Sequence, residues 1–205
     1  MRRPNNWDNV RAAGEREKLP AGGYEAQITN AKVASYTGQN GAYERLEIAV
    51  DIISGDYKDY FKEDYDNNPR EDRKWKGVAR FYVPTDDGSD SDEYTKSVLR
   101  SVTDALEASN KGYTWNWDEK SLKGLKVGIL VRDKEYEIED KHGFAPEIFR
   151  FIGIDRIQSG RFTVPKPKLI KRDETVPAAP QAAQNASPEA PAADFSGVGS
   201  DPYPF

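Results

Sequence analysis

From Tyr24 onward, apolar and polar residues alternate. Tyr24, Ala26 and Ile28 are interleaved with Glu25, Gln27 and Thr29, the period of a half-buried strand. Ala31 and Val33 carry the alternation on with a shift of face, as a β-bulge would. Tyr36 to Gly41 reads as a loop, and a second strand follows with Leu46, Ile48, Val50 and Ile52 on one face. Gly55 ends it. Asp56 to Lys76 mixes aromatic and charged residues without a period, an excursion with one helical turn. Val78 to Val83 is a third strand, with Ala79, Phe81 and Val83 facing inward and Arg80 and Tyr82 outward.

The period then changes. Tyr94, Val98, Leu99, Val102 and Leu106 fall on one helical stripe between about Asp92 and Asn110. Asp90 or Ser91 can cap the start, acids fill the first turn, and Gly112 follows the end. Leu125, Val127, Ile129 and Val131 form a fourth strand. Its hairpin partner begins near Pro146 after an Asp140–Gly143 turn, and Phe149 to Ile157 supplies the fifth, richly apolar strand. Pro165 and Pro167 argue against a central strand in the exit segment. A mainly β chain of five strands, with one helix between the third and fourth, has the order of an OB-fold. That fold is a partly open five-stranded Greek-key barrel that often binds oligonucleotides.

Composition adds the boundaries. Pro, Ala, Gln, Ser and Asn dominate Val176 to Ala193, which has too little apolar side chain to offset the entropy of ordering. The chain therefore divides into an N-terminal arm (1–18), a folded domain (19–172) and a disordered tail (173–205). Five of the 35 acids and none of the 30 bases follow Arg172, so the tail carries the whole net charge of −5 and the body is neutral. There are no cysteines, which excludes disulfides and thiolate metal sites. With no secretory signal and no apolar run of membrane-spanning length, the expected location is the cytoplasm, with no membrane partner.

Single-strand binding needs π-faces for bases and cations along the backbone. Four places supply both. Arg73, Lys74, Trp75 and Lys76 with Arg80 and Tyr82 rank first, as cations around a Trp that enters a strand. Lys32, Tyr36, Tyr43 and Arg45 surround the first hairpin loop. Trp115 and Trp117 alternate in a polar segment, and packing into the core is as good an account of either ring. Between Phe149 and Arg172, Arg150 and six further bases face one acid, Asp155, while Phe149 and Phe151 read as core.

The end of the chain has its own chemistry. Asp201, Pro202, Pro204 and Phe205 close a Pro-rich tether with a ring and an α-carboxylate on one residue, a combination that basic pockets capture. This tip resembles the C-terminal tip of bacterial single-stranded-DNA-binding proteins, where a flexible linker ends in acids and Pro-Phe. The family tip has consecutive acids, whereas here glycines separate Asp194 from Asp201. A second resemblance covers the body. Leu19-Pro-x-Gly-x-Tyr24, Ser109-Asn-Lys-Gly112, Leu122-Lys-Gly-Leu-Lys-Val-Gly128, Glu135-Tyr136 and Phe162-x-x-Pro-x-Pro-Lys168 are similar, in order, to a family of phage and prophage proteins. Some members are assigned as single-stranded-DNA-binding proteins of phage replication and recombination. The two resemblances imply a protein that holds single-stranded DNA and recruits replication, recombination or repair proteins through its tip.

Catalytic chemistry has little to stand on. The one histidine, His142, reads as an exposed turn residue, and no catalytic residue, cofactor or metal ligand is expected. Asp64-Tyr-Asp-Asn-Asn68 begins like a calcium loop, but Pro69 and Trp75 stand where its glycine and its last acid belong. Two rival readings remain: an adaptor that binds proteins only, and a carboxylate- and magnesium-dependent nuclease. Oligomeric state leaves no mark on the sequence.

Overall fold

The computed structural model describes residues 2, 3, 17–38, 41–138 and 141–170. The tail, its tip and most of the N-terminal arm lie outside the described residues. Strands β1 (Gly22–Gly38), β2 (Gly41–Ile52), β3 (Val78–Tyr82), β4 (Lys126–Ile138) and β5 (Lys141–Ile152) form one antiparallel sheet in the order β3-β2-β1-β4-β5. Helices α1 (Tyr60–Asp66), α2 (Asp90–Ser109) and α3 (Ile154–Gln158) and a 3₁₀ turn (Glu119–Leu122) complete it.

The alternation in β2, and in β1 as far as Ala31, is borne out, whereas Val33 is exposed. Ala26, Ile28, Leu46, Ile48, Val50 and Ile52 are buried, and the ladder slips between Ile28 and Asn30, where the change of face calls for a bulge. In β3, Ala79 and Phe81 are buried and Tyr82 is exposed, as expected. Phe81 of β3 and Phe151 of β5 meet edge to face, with centroids 5.2 Å apart. The side chains of the two outermost strands thus share one core, although the strands are not ladder neighbours. Helix α2 packs Leu99, Val102, Ala105 and Leu106 into that core.

Several boundaries move. The first hairpin loop is shorter than Tyr36–Gly41, because the strands run to Gly38 and resume at Gly41. Ser89, and neither Asp90 nor Ser91, caps α2, accepting from the Asp92 backbone N–H at 3.2 Å. Tyr94 stays half exposed, one turn before the helix reaches the core. The β4–β5 hairpin extends almost to its tip, so Lys141 to Gly143 are strand and His142 pairs with Glu137. Pro146 sits inside β5, an edge strand, where the missing N–H costs no ladder bond if it points outward. The predicted fifth strand stops at Ile152; Ile154 to Gln158 is α3, and Ile157 lies against Gly23 and Gly128. A Cβ at either glycine would approach Ile157 to 2.7 Å, so these two positions hold the close seat of α3.

Asp51 ties α1 down. Its buried carboxylate accepts from the backbone N–H groups of Ile52 (2.9 Å), Phe61 (3.0 Å) and Lys62 (3.1 Å). Two of these are first-turn donors that the helix itself leaves unsatisfied. The local cap residue, Asp59, makes no side-chain bond. Burial raises the Asp51 carboxyl above its ordinary value, and the three backbone bonds oppose that rise. No helix among the described residues is long and apolar enough to cross a membrane.

Candidate nucleic-acid interface

The strand period places Lys32 and Tyr36 of β1, Tyr43, Arg45 and Glu47 of β2, and Arg80 and Tyr82 of β3 on the sheet face opposite the core. Cross-strand pairing aligns them: Lys32 with Glu47, Tyr36 with Tyr43, Arg45 with Tyr82, and Glu47 with Arg80. Tyr36 and Tyr43 stack at 5.6 Å with planes 20° apart, and Tyr43 and Tyr82 follow at 5.5 Å. The Arg45 guanidinium carbon lies 5.5, 4.9 and 4.8 Å from the centroids of Tyr36, Tyr43 and Tyr82. A guanidinium within about 6 Å of a ring face is attracted by the ring's quadrupole. Three rings and one planar cation therefore form a continuous slab on the sheet.

Glu47 organises the cations beside the slab. It accepts from the Tyr36 hydroxyl at 2.6 Å and from Arg80 Nε at 3.2 Å, and Lys32 Nζ is 3.4 Å away. Burial opposes its ionisation, but the Tyr36 hydroxyl, Arg80 and Lys32 together hold its carboxyl below the ordinary value. The same bond raises the Tyr36 phenol, since ionising it would place two negative oxygens together. Composition-based reasoning finds the cations and rings but not Glu47. A carboxylate is not a feature sought in a groove for a polyanion, and only its cross-strand position reveals it.

The sequence-predicted residues thus divide differently from the four expected places. Lys32, Tyr36 and Arg45 join Arg80 and Tyr82 in one cluster. Arg73, Lys74, Trp75 and Lys76 stay apart from it. Trp75 is half-buried against the core, donates its indole N–H to the Val50 carbonyl at 3.1 Å and packs on Tyr65. Arg73 covers the Tyr65 ring at 4.7 Å, and Lys76 pairs with Asp64 at 3.1 Å.

The two remaining tryptophans part ways. Trp115 is buried, with its indole N–H on the Asp118 carbonyl at 3.2 Å. Trp117 is 69% exposed, lies 4.9 Å from Trp115, and holds the left-handed φ of 66°. Phe151 is core as expected, but Phe149 is not. Its exposed ring carries the Arg132 guanidinium at 4.3 Å and that of Arg150 at 5.3 Å. Arg132 is held by Glu147 at 2.7 Å, and Lys134 also reaches Glu147, at 3.3 Å. Arg150 therefore belongs to a second ring-and-cation group on β4 and β5. Arg132 and Lys134 are two residues apart on one strand, a spacing that could have exposed this group.

Among the described residues, no three His, Asp or Glu side chains gather where they could hold a metal ion. No family model matches the chain, and no curated protein matches it.

Proposed function

We propose that this chain is a non-enzymatic, phage-type single-stranded-DNA-binding protein whose body is a partly open, OB-like barrel. One observation carries the reading: the Tyr36–Tyr43–Tyr82 slab, threaded by Arg45 and flanked by Lys32 and Arg80, on the outer face of β1 to β3. Stacked bases find sequence-tolerant π-faces there, and the cations follow the phosphates. In OB-folds the face of strands 2 and 3 is the usual oligonucleotide site, and here those strands carry Tyr43, Arg45, Arg80 and Tyr82. The approach of Phe81 to Phe151 supports barrel curvature, with the β3–β5 seam as its open side.

In this reading the tip, Asp201, Pro202, Pro204 and Phe205, recruits replication, recombination or repair proteins in the host cytoplasm. Phe205→Ala then leaves DNA binding intact and removes partner capture, because the ring is what an apolar pocket on the partner would take. The DNA face is tested by ultraviolet crosslinking to an oligothymidylate followed by peptide mapping. Crosslinks at Tyr36, Tyr43 or Tyr82 are expected. Crosslinks confined to other regions overturn the assignment.

A further inference from the structure

We infer that the outer half of β1 is a self-pairing edge through which two copies of this chain join β1 to β1 around a two-fold axis at Ala34. β4 pairs with β1 only from Gly22 to Gln27, whereas β2 pairs with β1 on to Gly38. Beyond the bulge at Ile28–Asn30, β1 has a ladder neighbour on one side alone. The direction of its backbone groups follows from the bonds around it. Val83 N–H donates to the Glu44 carbonyl, and Val50 N–H to that of Gly77, so these β2 residues point away from β1. Their neighbours Arg45 and Glu47 point toward β1 and bond Ala34 and Lys32. Val33, Ser35 and Thr37 therefore direct their N–H and C=O groups at the open edge. All three are exposed, and among the described residues none makes a backbone bond outside the β1–β2 ladder.

An exposed edge of this kind is a template for another strand, and proteins that avoid pairing blunt it with proline, bulges or charged side chains, lysine above all. From Lys32 to Gly38 there is no proline and no bulge, and the one charge, Lys32, lies on the outer face. The register also suits a second copy. With the axis at Ala34, Val33 faces the partner's Ser35 through paired hydrogen bonds, and Lys32 faces the partner's Tyr36, a cation against a ring. No like charges oppose each other, and the smallest side chain of the row sits on the axis. A two-fold interface of one patch against itself is the commonest form of closed assembly. It would also extend the outer face of β1 to β3 into its symmetry mate, but it stands whether or not that face binds DNA.

The test uses the full chain without DNA. Sedimentation should give twice the 23.1 kDa chain mass at high concentration, falling to the single mass on dilution. Ser35→Pro removes an outward N–H and the exposed bond from the Ser35 hydroxyl to Glu44, neither of them part of the backbone ladder, so its circular dichroism should be retained while the doubled mass is lost. Ala34→Cys supplies the only thiol of a cysteine-free chain. As a non-hydrogen-bonded pair, two copies lie about 4.5 Å apart between Cα atoms, within disulfide range. Under mild oxidation Ala34→Cys should crosslink to completion and Ser35→Cys should not, a result that does not depend on the proline variant folding. A single mass at every concentration, or Ser35→Cys crosslinking as well as Ala34→Cys, overturns the inference.

Discussion

Arg45 Nη2 donates to the Tyr82 hydroxyl at 2.9 Å while its guanidinium carbon lies 4.8 Å from the same ring's centroid. One side chain thus fixes Tyr82 at both face and tip, and through Tyr43 it fixes the rest of the slab. Arg45→Lys keeps the charge but loses the planar fork that makes both contacts. Single-strand affinity should fall on the order of tenfold, about 1.4 kcal/mol, with little change in melting temperature. Oligonucleotide anisotropy with a parallel thermal melt checks this. An unchanged affinity would reduce Arg45 to a surface charge.

Glu47 sets the sign of the pH dependence. Its folded-state carboxyl lies below its unfolded value, so its contribution to stability is full above the ordinary carboxylate range and is lost as pH falls through the lowered value. DNA binding should move the other way, since protonating Glu47 removes from beside Lys32 and Arg80 a negative charge that repels phosphate. Glu47→Gln at neutral pH should therefore tighten single-strand binding, by roughly two- to tenfold at low salt, and cost about 1 kcal/mol of stability or less. Affinity measured beside a urea titration separates the two effects. Weaker binding by the variant would place the DNA elsewhere.

Trp75 and Trp117 should contribute to stability in different ways. Trp75→Ala removes a half-buried ring and leaves the Val50 carbonyl without its indole donor, costing about 2–3 kcal/mol of stability. Trp117 pays for its left-handed backbone instead. Trp117→Gly should melt above Trp117→Ala by a shift corresponding to about 1 kcal/mol, because only glycine holds that φ without strain. Thermal melts of the three variants decide the order.

The parts of the fold legible in the sequence are those with one wet and one dry face. β2 and β3 alternate cleanly because Leu46 to Ile52 and Ala79 to Phe81 back directly onto the core. Residues 132–138 and 141–147 of the second hairpin are all partly or fully exposed, so no period marks them as strand. Ile154 and Ile157 fit the apolar pattern of a strand end as well as a helical turn, and the close seat at Gly23 and Gly128 decides for the turn. For the site, the sequence carries the residue types but not their company. Cations flank Trp75 in the chain, yet its indole turns inward, whereas Arg45 and Tyr82 are 37 residues apart and touch.

Asp51 offers a check on how the sheet holds its accessories. Asp51→Ala leaves two first-turn donors of α1, Phe61 N–H and Lys62 N–H, without their acceptor. The expected cost is about 1–3 kcal/mol, and hydrogen exchange should speed up first in residues 60–66. Exchange that rises uniformly across the domain instead would show that α1 is not a separately held unit.

The most direct test of the nucleic-acid face is the affinity of the whole chain for a labelled single strand and for its duplex, measured across a range of salt concentrations. Tighter binding of the single strand is predicted, with a negative log–log slope of about 0.7 for each phosphate contact. Tyr36→Ala combined with Tyr82→Ala should weaken it by roughly 2–6 kcal/mol if a base stacks on each ring. No binding at low salt, a preference for the duplex, or an affinity untouched by the loss of both rings would contradict the account.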